Sequence, residues 1–437
     1  MSKEKTVMDI KGPYSINGIL EVPGDKSVSH RAVMISSLTK QKIRIDNFLP
    51  SQDCLKTLAI MEKIGVTHNM DKTHLLIQGC GIDGFEEPDD VLYVGNSGTS
   101  IRLLAGLLST CSFLSVLTGD SSINNRPMGR IIKPLRDMGA EIFGRAGDNK
   151  APLVIFGRDH LKGKTFNFDI SSAQVKSCLL FAGLSADGIT EIRQPSVSRD
   201  HTERMLEYFG AEVDYGEGKN VKIKRSSLTG KNLYVPGDFS SAAFFIIAAL
   251  ILENSEIIIK NVGINPTRAY LLEILKKMGG NIEVNNYRKI NNEPVADLKV
   301  SSSDLKAVEI EKKFIANIID EIPVLSVACA FAKGNTLISG ASELRVKESD
   351  RIKSIVNEFT KIGIKIKENK DGFIIYGNKE YDLLQADIES YGDHRIAMSL
   401  AIAALKGKKR ISIKDTDCID VSFPGFKRKL FSVLNME

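Results

Sequence analysis

Apolar positions along the 437-residue chain follow a pattern that recurs six times, at intervals of roughly 70 residues. Each copy opens on a helix of small apolar residues. These read SVSHRAVMISSL (27–38), SGTSIRLLAGLL (97–108), SSAQVKSCLLFAGL (171–184), DFSSAAFFIIAAL (238–250), DEIPVLSVACAFA (320–332) and DHRIAMSLAIAAL (393–405). A short β-branched strand, a loop and an amphipathic helix follow, and then more strand. The amphipathic helices end on a hydrophobic residue plus Gly65, Gly139, Gly210, Gly279 or Gly363, where a helix C-cap favours glycine. The sixth copy is cut short at FKRKLFSVL. Such a period predicts a symmetric fold whose function lies where the copies differ.

The repeats fall into two sets. The tetrapeptide VPGD occurs at Val22–Asp25 and again at Val235–Asp238, each time before a Ser-rich helix start, and three copies follow each occurrence. Two domains of about 200 residues are expected, an ordinary domain size, with boundaries near Gly24 and Pro236. Within a copy the order is strand, helix, strand, helix, strand, strand, which predicts an α/β fold with mixed sheets. AAFFIIAALIL (242–252) is apolar on every side, so it reads as an interior helix and is too short to span a bilayer.

Composition narrows the function classes. The chain is 43% hydrophobic, enough for substantial cores, and its net charge of +5 is the small difference of 59 basic and 54 acidic residues. That balance does not call for nucleic acid. The stretch MSKEKTVMDI has no apolar signal region, so a cytoplasmic protein without a membrane partner is expected. Six scattered cysteines form no CxxC pair and most read as small buried hydrophobes; no metal site is expected. GxxxxGK[ST] and HExxH are absent and no GxGxxG opens a βαβ unit, which argues against a P-loop, that zinc motif and a dinucleotide site.

The chemistry collects at the helix starts. GDKSVSHR carries Lys26, Ser27 and Arg31; GNSGTSIR carries Asn96, Gly98, Thr99 and Arg102; SSAQVK carries Ser172, Gln174 and Lys176; YGDHR carries Asp393, His394 and Arg395. A helix N-terminus offers free N–H groups and a partial positive charge, and Ser, Thr, Gly, Lys or Arg there completes an anion site. A single such start is an ordinary N-cap. Four on equivalent elements of a symmetric fold predict convergent anion-binding ends on two electropositive faces. Arg126 and Arg130, Arg199 and His201, and Arg345, Lys347, Glu348 and Arg351 lie in loops before the second helices, where ligand groups are common.

As a set, GDKSVSHR, GNSGTSIRLLAG, RPMGR, SAQVKS, RDHTE, NPTR, RVKESDR and YGDHRIAMS resemble the 5-enolpyruvylshikimate-3-phosphate (EPSP) synthase family, in that family's order, from about Tyr14 to Phe426. The resemblance implies two inverted pseudo-threefold α/β domains, each of three βαβαββ units with buried helices, and an active site in the interdomain cleft. The first lobe would be 25–236. The amino-terminal strand would cross back, so 1–24 and 237–437 would form the second. The implied partners are phosphoenolpyruvate and shikimate 3-phosphate, with no metal and no cofactor. The implied enzyme is a monomer that moves the enolpyruvyl group to the 5-hydroxyl and releases phosphate.

Carried onto matching positions, the resemblance implies that Lys26 touches both substrates. Ser27, Arg31, Ser172, Gln174 and Lys347 would bind shikimate 3-phosphate. Gly98, Arg126, Gln174, Arg351 and Arg395 would hold phosphoenolpyruvate. Asp320 would take the 5-hydroxyl proton, and also touch that substrate, while Glu348 would serve the methylene carbon. Asp320 also reads as a helix N-cap, Glu348 as a capping-box partner, His30 as a group that orients its helix start, and Arg102 as a bridge between sheet and helix. The chain departs from some members at Val421, where they carry a lysine before the SFP segment; Lys427 lies nearby. Two alternatives compete. A sister transferase acting on UDP-N-acetylglucosamine carries a cysteine in the loop that here reads SSINNRPMGR. A non-catalytic polyanion binder would interleave cations with aromatics, yet Trp is absent and aromatics make up 7%.

Overall fold

The structure, a computed structural model, describes residues 6–436. Six small-residue helices form where the apolar pattern places them: Lys26–Ser37, Gly98–Leu108, Ala173–Gly183, Phe239–Ile251, Ile322–Ala330 and His394–Ala404. Five begin on a side-chain cap. Asp25, Ser97, Ser172, Asp238 and Asp393 each accept a hydrogen bond from a backbone N–H two or three residues on, satisfying a donor the helix itself cannot. Phe239–Ile251 is buried along its whole length, as an all-apolar surface requires.

The fifth helix corrects the expected boundary. It starts at Ile322 rather than Asp320, Glu321 stands at its N-cap without a side-chain cap bond, and Pro323 occupies the first turn. Asp320 is therefore not the N-cap; it lies in the turn leading into this helix.

The second helices are Gln52–Lys63, Gly129–Asp137, His201–Tyr208, Tyr270–Lys277, Arg351–Lys361 and Phe426–Phe431. In the first five the terminal glycine has φ of +96°, +103°, +90°, +93° and +88°. The same two bonds close each end. At the first, Gly65 N–H reaches Glu62 O at 3.0 Å and Val66 N–H reaches Met61 O at 3.1 Å, the Schellman pattern. Gly139 has nothing within 4 Å of a would-be Cβ, so only backbone strain opposes a side chain there. Gly139→Ala is expected to lower stability by about 1–2 kcal/mol in urea unfolding; no loss would show that the turn relaxes.

The sheets repeat the same plan. Lys42–Asp46, Leu114–Thr118 and Ile189–Arg193 each pair antiparallel with a partner (His74–Gln78, Lys150–Phe156, Asn220–Lys224), which pairs antiparallel with a further strand. Each also takes a parallel leading strand: Leu233–Tyr234, Leu92–Tyr93 and Thr165–Asn167. Leu233–Tyr234, at the end of this set, leads its first sheet.

The second set borrows from the amino terminus. Tyr14–Glu21 runs parallel to Glu256–Gly263 and pairs antiparallel with Leu434–Met436. Val7–Ile10 pairs antiparallel with Ile411–Lys414 and completes the sheet of the sixth copy, which has no closing hairpin of its own. Met8 and Ile10 face inward, and Val7 and Asp9 outward.

The chain divides into two compact units. One is Gly24–Pro236 with Lys289–Glu293, here called the first unit; the second holds the residues up to Pro23, Gly237–Arg288 and Pro294 onward. Residues 1–5, expected with the second half, lie outside the described residues. Each unit has its own apolar core. The turn 289–293 joins the first unit through Glu293 Oε1, 2.8 Å from His201 Nδ1, and Asn291 Nδ2, which donates to Tyr234 O at 2.7 Å. Among the described residues, no helix is long and apolar enough to cross a membrane.

Candidate active site

In the first unit three helix starts carry the candidate side chains. Lys26 sits half-buried on the first turn of its helix, with Nζ 3.3 Å from Asp53 Oδ2. Ser27 follows it and is also half-buried. Arg31, one turn on, is buried: Nε donates to Thr202 Oγ1 at 2.6 Å, Nη1 to Ser27 O at 2.9 Å and Nη2 to Ser177 Oγ at 2.8 Å. Burial pushes its guanidinium down to about 10, opposed by the charge of Glu203.

The second start gathers around Gly98. A Cβ at Gly98 would lie 3.0 Å from Arg102 Nη1 and 3.1 Å from Arg126 Nη1, so a side chain there would crowd the two guanidinium groups. Arg126 Nη2 donates to Asn96 Oδ1 at 2.9 Å. Arg102 donates to Gln174 Oε1 at 2.5 Å and Pro127 O at 3.2 Å. Gln174 Nε2 in turn donates to Thr99 Oγ1 at 3.2 Å. Ser172 caps the third start, and its carbonyl accepts from Gln194 Nε2 at 3.1 Å.

Lys176 leaves the expected anion-binding set. Its side chain is fully buried, with Nζ 2.6 Å from Glu203 Oε1 and 3.1 Å from Ser198 O. Its place in SAQVK falls on the inward face of the helix, one turn beyond the half-buried start.

In the second unit a guanidinium organises the cluster. Arg351, buried on the first turn of its helix, places Nη1 3.4 Å from Asp320 Oδ1 and Nη2 2.6 Å from Glu348 Oε2. Its Nε donates to Asp393 Oδ2 at 2.8 Å. Burial disfavours its charge, but Asp393, Glu348 and Asp320 outweigh burial and raise its pKa, so it stays a cation. Asp393 is buried too, yet Arg351 holds its carboxyl below the ordinary range. Lys347 Nζ lies 3.6 Å from Asp320 Oδ1. The helix cap is Asp350, not Glu348, so the capping-box reading of Glu348 fails.

Arg395 completes the group. Its Nη1 donates to Asp320 O at 2.7 Å and Ser240 Oγ at 3.1 Å, and it lies 3.5 Å from the buried Glu321. Arg268, from NPTR, sits 3.0 Å from the same Glu321 oxygen and bonds Ser240. This cluster is therefore not the plain electropositive face expected, because each named guanidinium is matched by carboxylates. Asp53 and Glu321 went unnoticed in the sequence, since nothing local marks them, and Ser240 stood in the Ser-rich start after the second VPGD without a role. Arg268 stood in a quoted motif without a role. Arg345 turns to Asp350 and Glu368 instead, each at 2.9 Å. Lys427 is exposed on Phe426–Phe431.

The arrangement thus offers cations and helix N-termini in one unit. In the other it offers three carboxylates tied to a permanently charged guanidinium, a combination suited to moving protons beside bound anions.

A family model described as EPSP synthase (3-phosphoshikimate 1-carboxyvinyltransferase) matches residues 10–430. A curated 3-phosphoshikimate 1-carboxyvinyltransferase of Geotalea uraniireducens (strain Rf4) is 50% identical over 417 residues, covering 95% of this chain and 96% of that protein. One from Petrotoga mobilis (strain DSM 10674 / SJ95) is 48% identical over 422 residues, covering 96% and 97%. Among solved structures, EPSP synthase from Acinetobacter baumannii superposes with a TM-score of 0.88 at 41% identity, covering 98% of each chain. The enolpyruvyl transferase NikO from Streptomyces tendae, at 15% identity and a TM-score of 0.77 over 98% of this chain and 97% of its own, shares the fold. These matches do not favour the nucleotide-sugar or the non-catalytic alternative. With its six related α/β copies, its motifs and matches along nearly its whole length, the chain belongs to the EPSP synthase (3-phosphoshikimate 1-carboxyvinyltransferase) family.

Proposed function

We propose that the chain transfers the enolpyruvyl group of phosphoenolpyruvate to the 5-hydroxyl of shikimate 3-phosphate, by addition and then elimination of phosphate. The observation that carries this reading is the pair Asp320 and Glu348 on the one guanidinium of Arg351. Asp320 takes the 5-hydroxyl proton. Glu348, in its protonated form, gives a proton to the methylene carbon, which makes C2 electrophilic. The hydroxyl oxygen adds to C2, the tetrahedral intermediate expels phosphate, which carries off the proton taken by Asp320, and the new methyl group returns a proton to Glu348.

The cations act by position. Arg351 and Arg395, with Arg126, Gln174 and the N–H groups at Gly98, hold the phosphoenolpyruvate anions and stabilise departing phosphate. Ser27, Arg31, Ser172, Gln174 and Lys347 hold shikimate 3-phosphate. Lys26, released from Asp53 by a stronger anion, touches both. The two clusters serve one catalytic cycle. The enzyme acts as a monomer in the cytoplasm; six free cysteines, none in a disulfide, fit a reducing compartment.

The test is phosphate release from protein mixed with both substrates, each left out in turn; release without shikimate 3-phosphate, or none with both, would overturn the reading. Arg126→Lys is expected to raise KM for phosphoenolpyruvate about tenfold, because a point charge cannot replace a planar two-pronged donor. An unchanged KM would remove Arg126 from the site.

A further inference from the structure

One buried chain of side chains in the first unit has no part in the chemistry above. His30, on the helix Lys26–Ser37, places Nδ1 2.8 Å from Thr57 Oγ1. Thr57 Oγ1 lies 2.7 Å from Ser100 Oγ, and Ser100 Oγ donates to Ser97 Oγ at 2.7 Å. Ser97 Oγ also accepts from Ser100 N at 3.1 Å, as the cap of the Gly98 helix. All four side chains are buried: His30 is 1% exposed, Thr57 and Ser100 0%, and Ser97 2%.

Each hydroxyl has one proton, and that fixes the direction of the chain. Ser100 spends its proton on Ser97. The 2.7 Å Thr57–Ser100 contact then needs the Thr57 proton, since two lone pairs would otherwise face each other. Thr57's other acceptor, Asp53 O, is 3.4 Å away and cannot compete. Thr57 cannot also donate to His30, so His30 carries its proton on Nδ1 and donates. Its Nε2 has no partner among the described residues, and a bare lone pair there costs less than a stranded N–H. Burial, with Lys26 and Arg31 nearby, pushes the imidazole down to about 3, so the ring stays neutral. The chain runs from His30 to Ser97 and leaves the Ser97 proton unspent, beside the open N-terminus of an eleven-residue helix.

We propose that Ser97 donates its hydroxyl proton to an oxygen of phosphoenolpyruvate, and that His30, Thr57 and Ser100 are positioning residues that aim it. This rests on the assignment of the Gly98 helix start to that substrate. Aligned hydroxyls polarise one another, so the terminal donor binds an anion more strongly than an isolated serine does.

Steady-state kinetics test it. Ser97→Ala is expected to raise KM for phosphoenolpyruvate about tenfold. Thr57→Val, close in shape but unable to relay, raises it about threefold. KM for shikimate 3-phosphate and kcat stay at wild-type values in both, and Thr57→Ser restores the wild-type KM. Both KM values rising together, or Thr57→Val leaving phosphoenolpyruvate KM unmoved, would overturn the proposal. Arg126→Lys run alongside separates the two readings. If it too leaves phosphoenolpyruvate KM unmoved, the helix start is not that substrate's and both readings fall. If it raises KM and Thr57→Val does not, only the relay falls. Nitrogen-15 NMR of labelled histidine in the wild-type protein is expected to show His30 protonated at Nδ1; the Nε2–H tautomer would break the proton order.

Discussion

Asp320→Asn is expected to lower kcat about 10²–10⁴-fold, with little change in either KM. The carboxamide has the same shape but cannot take the 5-hydroxyl proton. The structure explains why binding survives. Arg395 is held by the main-chain oxygen of Asp320, at 2.7 Å, which the substitution leaves in place. Arg351 keeps Asp393 and Glu348, and loses only a 3.4 Å contact with Asp320. Lys347 loses a 3.6 Å contact, and a bound hydroxyl could take its place. Steady-state measurement of kcat and both KM values checks this. A rate near wild type would take Asp320 out of the proton transfer, and a large rise in KM alone would recast it as a binding group.

Lys176→Met is expected to cost about 3–5 kcal/mol of stability in the first unit. Both partners of the Lys176–Glu203 pair have fully buried side chains, 2.6 Å apart. Removing the ammonium strands a carboxylate in the core, where it must either stay charged without a partner or take up a proton. The double variant Lys176→Met with Glu203→Leu is expected to recover part of the loss, because the stranded carboxylate is then gone, although the buried Arg31 loses the opposing charge of Glu203. Thermal and urea unfolding of the two variants check it. The measurement also discriminates between roles. A lysine that gripped substrate phosphate would raise KM for shikimate 3-phosphate and leave stability intact. A single variant as stable as wild type would show that Glu203 is neutralised at little cost.

The fold was readable in the chain to an unusual depth because its signals are local. A small-residue helix, a cap such as Asp25 or Ser97, and a glycine such as Gly139 each act within one or two turns. Six recurrences of that grammar imply the repeats without any long-range information. The fifth helix start was misjudged because DEIP carries an acidic residue at each of two neighbouring positions, and only the backbone decides which one caps. The sixth copy looked truncated because its missing strand, Val7–Ile10, lies about 400 residues earlier in the chain.

The site divides in the same way. The cations and glycines at helix starts were visible, because a helix N-terminus and the residues within its first turn are neighbours in sequence. The pairing of Asp53 with Lys26, the closing of Thr202 and Ser177 around Arg31, and the gathering of Asp320, Glu348 and Asp393 on Arg351 were not visible. By itself, then, the sequence determined the repeat, the elements and which residues carry charge at their ends. Tertiary structure alone decided which charges are solvated and which are matched, because desolvation and Coulomb energy depend on distance in space, and partners far apart in sequence leave no mark on the local pattern.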